Sequence, residues 1–288
     1  LALVAVIFKT LGLADLGRAF VSIPVGHVME AVLGALVVVA GHSLRFHVLL
    51  RRVAPEVGFG RSLAATVAGL GVGLVTPGRM GEAVRILPFP GRRAEALGAL
   101  LVERLSLLLT LLGVAALCAA WYDHIMAVAA TGALAALTLL VIFRGRLSAR
   151  LAKRTRPGGK AALLMESLNE FRTGDIMISI ALAVGCMAVQ AWQLHILINR
   201  PDSLGFFKVL TLFPLSVLTS LIPVTVGGLG IREGTLIALL ASDSVPSEAI
   251  AAASLVFYLV YAVPTLAVAA LVLTRRTARA EGEREAPK

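Results

Sequence analysis

Charge is scarce in this chain. Of 288 residues, Asp, Glu, Lys and Arg make up 15%, against roughly 25% in a soluble domain. Hydrophobic residues reach 58%, and mean hydropathy is +0.89. A chain so poor in polar groups cannot cover its surface with them, which excludes a water-soluble fold. Cysteine is nearly absent: Cys118 and Cys186 both lie in apolar runs and lack metal-ligand spacing. That excludes a disulfide scaffold or thiolate metal site and leaves two small buried side chains. Lysine is sparse too, with Arg ahead 22 to 5, which reads as the codon composition of a GC-rich bacterial genome. Short alternating segments of about ten residues, the pattern of an outer-membrane barrel, do not occur. A lone signal peptide does not explain the apolar excess, because helix-length runs recur as far as Leu273.

Those runs define an all-α polytopic membrane protein. Glu30 to Leu50, Ala94 to Ala120, Ile125 to Phe143, Ile176 to Ile198 and Ala249 to Leu273 are each long enough to cross about 30 Å of hydrocarbon. Leu1 to Leu13 is interrupted by Lys9 and lacks an initiating Met, so it reads as the second half of a helix whose beginning is missing. With it, about six full spans are expected. Asp15 to His27 reads as a loop or a short interfacial helix.

Two further apolar segments are broken. Ser62 to Val75 is only 14 residues long and stops at Thr76, Pro77 and Gly78, with Gly81 just beyond. Val209 to Val226 contains Pro214 and Pro223, then meets Gly227, Gly228 and Gly230 before a short piece, Thr235 to Ala241. The net charge of +10 sits mostly in loops, where it orients spans rather than binding nucleic acid. Residues 144–175 carry eight basic residues against three acids, a net of +5, and include an amphipathic helical pattern at Ala161, Leu164, Leu168 and Phe171. The positive-inside rule places this loop and the charged, disordered tail at 274–288 in the cytoplasm of a bacterial inner-membrane protein. The crossings then balance only if both broken segments return to the side they entered. Segment 62–91 dips in from the cytoplasm and 209–241 from outside. Two re-entrant hairpins in corresponding positions of halves 28–143 and 176–273 are the pointer to an inverted-repeat transporter within a single domain, 1–273.

Charges cluster at the breaks. Arg79, Glu82 and Arg85 follow the first and Arg232 and Glu233 the second, while Glu103 and Arg104 lie about ten residues into a span. An ion at the bilayer centre costs roughly 2.5–3.5 kcal/mol, so seven unpaired would cost on the order of 20 kcal/mol. They must face one another or a wet cavity. Four are positive and three negative, leaving one positive charge for an anionic ligand. Helices restarting at Gly81 and Gly230 would add free N–H groups and positive dipole ends. Alternatively, Glu82 and Glu233 offset those helix ends in purely structural pairs. His42, Arg45 and His47 read as interfacial or snorkelling groups, and Gln190 and His195 as helix–helix hydrogen-bonding groups. Gly69, Gly71 and Gly73 read as close helix packing. No metal or cofactor site is expected.

Three motifs, Thr76-Pro-Gly-Arg-Met-Gly-Glu-Ala-Val-Arg85, Val102-Glu-Arg104 and Pro223 through Gly-Gly-Leu-Gly-Ile-Arg-Glu233, resemble the lysylphosphatidylglycerol synthase transmembrane-region family, which includes the membrane half of the multiple peptide resistance factor. The resemblance runs from about residue 28 to 273. It implies a flippase-like, lipid-handling domain with these charged motifs in the pathway. It does not carry over lysyl transfer, which belongs to a separate soluble domain. The leading expectation is a non-enzymatic translocase for an anionic phospholipid or polyprenyl-phosphate-linked substrate. The alternative is a non-transporting subunit or regulator of a glycosyltransferase or lipid-modifying enzyme. An intramembrane enzyme is the weakest reading, since neither an HExxH nor a Gly-x-Gly-Asp motif occurs.

Overall fold

The computed structural model describes residues 13–77, 79–122, 170–199, 204–220 and 228–285, with side chains as far as 114 and 270 in the two helices that run furthest. The expected span 125–143, most of the basic loop, the segment before Leu13, and Gly78, Pro223 and Gly227 lie outside these residues. Every described element is helical; Ser242 and Val245 form an isolated β-bridge.

Helix α1 (Leu13–Val21) takes one of the two forms expected around Asp15 to His27, a short helix rather than a loop. α2 (Val25–Val53) follows, then α3 (Phe59–Leu74), a 3₁₀ helix (Met80–Ile86) and α4 (Arg93–Tyr122). After the described residues resume come α5 (Thr173–Ile198), α6 (Phe206–Ser220), α7 (Ile231–Leu240) and α8 (Ser247–Glu285). Among the described residues, four segments are long and apolar enough to cross a membrane: Val25–Val53, Arg93–Val114, Thr173–Ile198 and Ser247–Ala270. They coincide with four expected spans. α3 and α6 are apolar but shorter.

The tail corrects an expectation. Residues 274–285 continue α8 rather than forming a disordered end. Ala, Arg and Glu dominate there, all good helix formers, so propensity carries the helix onward from the span.

Two apolar cores sit at opposite ends of the bundle. One gathers Phe46, Leu49, Leu50 and Val53 from the end of α2, Ala96 to Val102 from the start of α4, and Ile176 from the start of α5. The other gathers Ala31 from early α2, Leu111 from later in α4, Leu194 to Ile198 from the end of α5, Leu204, Leu240, Val245 and Ile250. Outward, the spans present Leu33, Leu36, Val37, Leu101, Leu105, Met177, Ile178 and Val263. Polar residues buried inside and apolar ones exposed outside invert the soluble pattern, as a lipid solvent requires.

The first break folds back on itself. Glu56, before α3, and Arg92, after the 3₁₀ helix, pair at 3.2 Å, so this segment begins and ends together, at the end where α2 finishes. Gly69 and Gly73 on α3 make room for it: a Cβ at Gly73 would lie 2.5 Å from Glu82 Cγ, and one at Gly69 would lie 2.4 Å from Arg85 Cγ. Gly71, between them, lets α3 approach α8, where a Cβ would lie 2.4 Å from the Thr265 carbonyl oxygen. All three glycines therefore serve close packing. Gly71→Val is expected to cost about 1–3 kcal/mol by overpacking against backbone, whereas Gly60→Ala, with open space around it, should be neutral or slightly stabilising. Thermal unfolding in detergent will separate the two.

Candidate functional site

Between the two cores runs a chain of alternating charges. Arg45 of α2 is fully buried; its Nη1 lies 3.9 Å from Glu103 Oε1. Arg85 donates from Nη1 to Glu103 Oε2 at 2.7 Å, and its Nη2 lies 3.2 Å from Glu82 Oε2. Glu82 also pairs with Arg104, the half-exposed end of the chain. Three guanidiniums thus share two carboxylates, linking α2, α4 and the 3₁₀ helix. Arg45 is held further by donating to Ser179 O at 3.0 Å, Glu103 O at 3.1 Å and Ser106 Oγ at 3.1 Å. Pairing of this kind is what makes buried charge tolerable in hydrocarbon.

The second break keeps its charges to itself. Glu233 accepts from the Gly230 backbone N–H at 2.6 Å, capping α7, and from Arg232 Nη2 at 2.9 Å. Ser254 of α8 donates to Glu233 at 2.9 Å, while its backbone carbonyl accepts from Arg232 at 2.9 Å. The guanidinium lies 5.4 Å from the Phe257 ring centre and 5.8 Å from that of Tyr258. Gly228 and Gly230 both have positive φ, +80° and +89°, a conformation glycine adopts without a Cβ penalty.

Arg79 differs from every other charge in the set. It forms no ion pair with a carboxylate among the described residues, and its Nε is buried with no acceptor. Its backbone is left-handed, φ 58° and ψ 25°, immediately before the 3₁₀ helix. A non-glycine residue there costs of order 1–3 kcal/mol and points to function when surrounding structure enforces it.

Arg79 and Arg232 meet across one cavity. It offers about 50 Å³ to water-sized molecules, room for a few waters. His42, Gln190, Tyr258 and Tyr261 also line it. Tyr258 donates to the Leu74 carbonyl at 3.1 Å, tying α8 to the end of α3. The two breaks therefore contribute one guanidinium each to the same space.

A family model described as the lysylphosphatidylglycerol synthase TM region matches residues 1–269. The chain belongs to the lysylphosphatidylglycerol synthase transmembrane-region family. Among curated proteins no match was found. Membership establishes a multi-pass membrane protein related to lipid handling, and the motifs that carry the resemblance are the ones that build this site.

Of the seven expected charges, Arg79 and Arg232 line the cavity. Glu82, Arg85, Glu103 and Arg104 form the adjoining ion chain, and Glu233 neutralises Arg232. Three expectations are corrected. The N–H groups at Gly81 and Gly230 are not free: Thr76 Oγ1 accepts from Gly81 at 2.8 Å, and Glu233 accepts from Gly230. Pro77 is exposed, at the turn. Arg45 and His47 are not snorkelling groups. Arg45 is drawn inward by Glu103, and buried His47 meets Ser62 Oγ at 3.0 Å. His195 packs on Trp192 and Phe206, its Nδ1 without a hydrogen bond, so it does not bridge helices that way. Gln193 does, donating to Ala31 O and accepting from Tyr261.

Sequence reading missed Arg45, Ser106, Ser179 and Ser254. One signal was available: α2 runs to Val53, which places Arg45 about 12 Å from its end, too deep for an interface. Glu103→Gln removes the carboxylate shared by Arg45 and Arg85, and a stability loss of about 3–5 kcal/mol is expected. Arg79→Gln, which breaks no ion pair, should change stability by less than about 1 kcal/mol. Both are read from thermal unfolding in detergent.

Proposed function

We propose that this protein is a lipid translocase whose substrate presents an anionic phosphate headgroup to the cavity between the two breaks. The observation that carries this reading is the meeting of Arg79, which has no counter-ion among the described residues, with Arg232 in one small space. Apolar surfaces surround that space on the outer faces of the spans. The headgroup would occupy the cavity while its acyl or prenyl tails stay in lipid. Arg79 and Arg232 would contact phosphate, and the chain from Arg104 to Arg45 would hold the first break in place. Glu82, Glu103 and Glu233 would orient the guanidiniums.

The course of the two broken segments supports a reading as opposed re-entrant hairpins. The first broken segment starts and returns at the α2 C-terminal end of the bundle, where Glu56 meets Arg92. Residues flanking the second, Leu204 and Val245, share the core at the opposite end. Each hairpin carries an Arg–Glu pair just after its break, as an inverted repeat would, although the spacing differs. Substrate movement would be rocking of the hairpins about a central site. Basic residues at the first end favour a cytoplasmic position for that end in a bacterial inner membrane.

Purified protein in liposomes should move a fluorescent anionic phospholipid between leaflets. Arg79→Gln should slow this at least tenfold without unfolding the protein, and Arg232→Ala should abolish it. Unchanged transport in both variants removes the proposed site. No transport by the wild type, together with a stable co-purifying glycosyltransferase or lipid-modifying enzyme, would favour a subunit role instead.

A further inference from the structure

His42 contributes one side of the cavity, and its chemistry is fixed by a neighbour. Arg45 Nη1 lies 3.3 Å from His42 Nδ1. A guanidinium can only donate, so Nδ1 must supply the lone pair and the ring proton must sit on Nε2. Arg45 itself is buried completely and bonded to α4 and α5. No protein group among the described residues accepts from Nε2–H.

The other polar groups around the cavity are spent differently. Tyr258 gives its proton to Leu74 O, Tyr261 to Gln193 and Thr265 to the Tyr261 carbonyl. Their oxygens are left with lone pairs, which do not favour an anion. Donors that remain for one are the two guanidiniums, the imidazole and the side-chain amide of Gln190.

We infer that His42 is a ligand-binding residue that donates a neutral hydrogen bond from Nε2 to a phosphate oxygen held by Arg79 and Arg232, with Arg45 as the positioning residue that sets its tautomer. This deepens the proposed function and rests on it for the location of the anion. A neutral donor adds direction without adding charge to a site already rich in arginine. It therefore selects where the oxygen sits, whereas the guanidiniums select for negative charge.

Two substitutions separate binding from structure. Asn at position 42 places an acceptor where Nδ1 sits, keeping the Arg45 contact but removing the donor toward the cavity. Gln reaches the Nε2 position and keeps that donor. Binding of dihexanoyl phosphatidate and of inorganic phosphate to detergent-solubilised full-length protein would be measured by calorimetry. His42→Asn should weaken binding about tenfold to a hundredfold, the range for losing a hydrogen bond to a charged group. His42→Gln should retain most of it. In ¹⁵N-histidine spectra, with His42 assigned through the Gln variant, the wild-type ring should be the neutral Nε2–H form, and its Nε2 signal should move when phosphatidate is added. Binding of phosphatidate alone identifies a lipid headgroup; equal binding of inorganic phosphate identifies a free-phosphate site with the same donors. Wild-type binding that His42→Asn leaves intact, or a ring protonated on Nδ1, overturns the role of His42 and spares the translocase reading. Failure of both probes to bind the wild type overturns the two together.

Discussion

A guanidinium taken into hydrocarbon must find a carboxylate, a carbonyl or water, and most of this architecture follows from that requirement. Arg45, Arg85 and Arg104 find Glu103 and Glu82. Those contacts bind the 3₁₀ helix to α2 and α4. Gly69 and Gly73 matter because Arg85 and Glu82 occupy the space a side chain there would fill. The ion chain thus determines where the first break can lie, and so where Arg79 points. Removing a partner leaves uncompensated charge rather than merely a lost contact, which is why such networks cost more to interrupt than to replace wholesale.

The two breaks solve the same problem unequally. At the second, Arg232 and Glu233 are adjacent in sequence and satisfy one another, with Ser254 completing the pair. At the first, one counter-charge is local, Glu82, and the other, Glu103, comes from α4, while Arg79 receives none among the described residues. Electrostatic demand is therefore concentrated on one side of the cavity. Aromatic rings of Phe257 and Tyr258 face the other guanidinium, where a cation already neutralised gains further from a π-face.

Much of the plan was legible beforehand because its signals are local. Hydropathy over about twenty residues marks a span, and Pro77, Gly81 and the glycines at 228 and 230 mark where a helix cannot continue smoothly. The seven charges stood out because charge is rare in such surroundings. What could not be read was pairing. Arg45 meets Ser179 across 134 positions and Glu103 across 58, and no periodicity carries that information. Nor did composition reveal that Arg79 would take a left-handed backbone or that the first break would resume as a 3₁₀ helix, whereas the capping of α7 by Glu233 was one of the two readings open. The first two depend on tertiary approach. The helical course of residues 274–285 was misjudged for the opposite reason, since there local propensity outweighs the tail's charge.

The small volume of the cavity has a consequence for physiology under the proposed function. A chamber that admits only a polar head recognises nothing about the hydrocarbon attached to it. Cells that remodel fatty-acid length and unsaturation as temperature changes would not need to alter such a carrier, because its selectivity is written entirely at the phosphate.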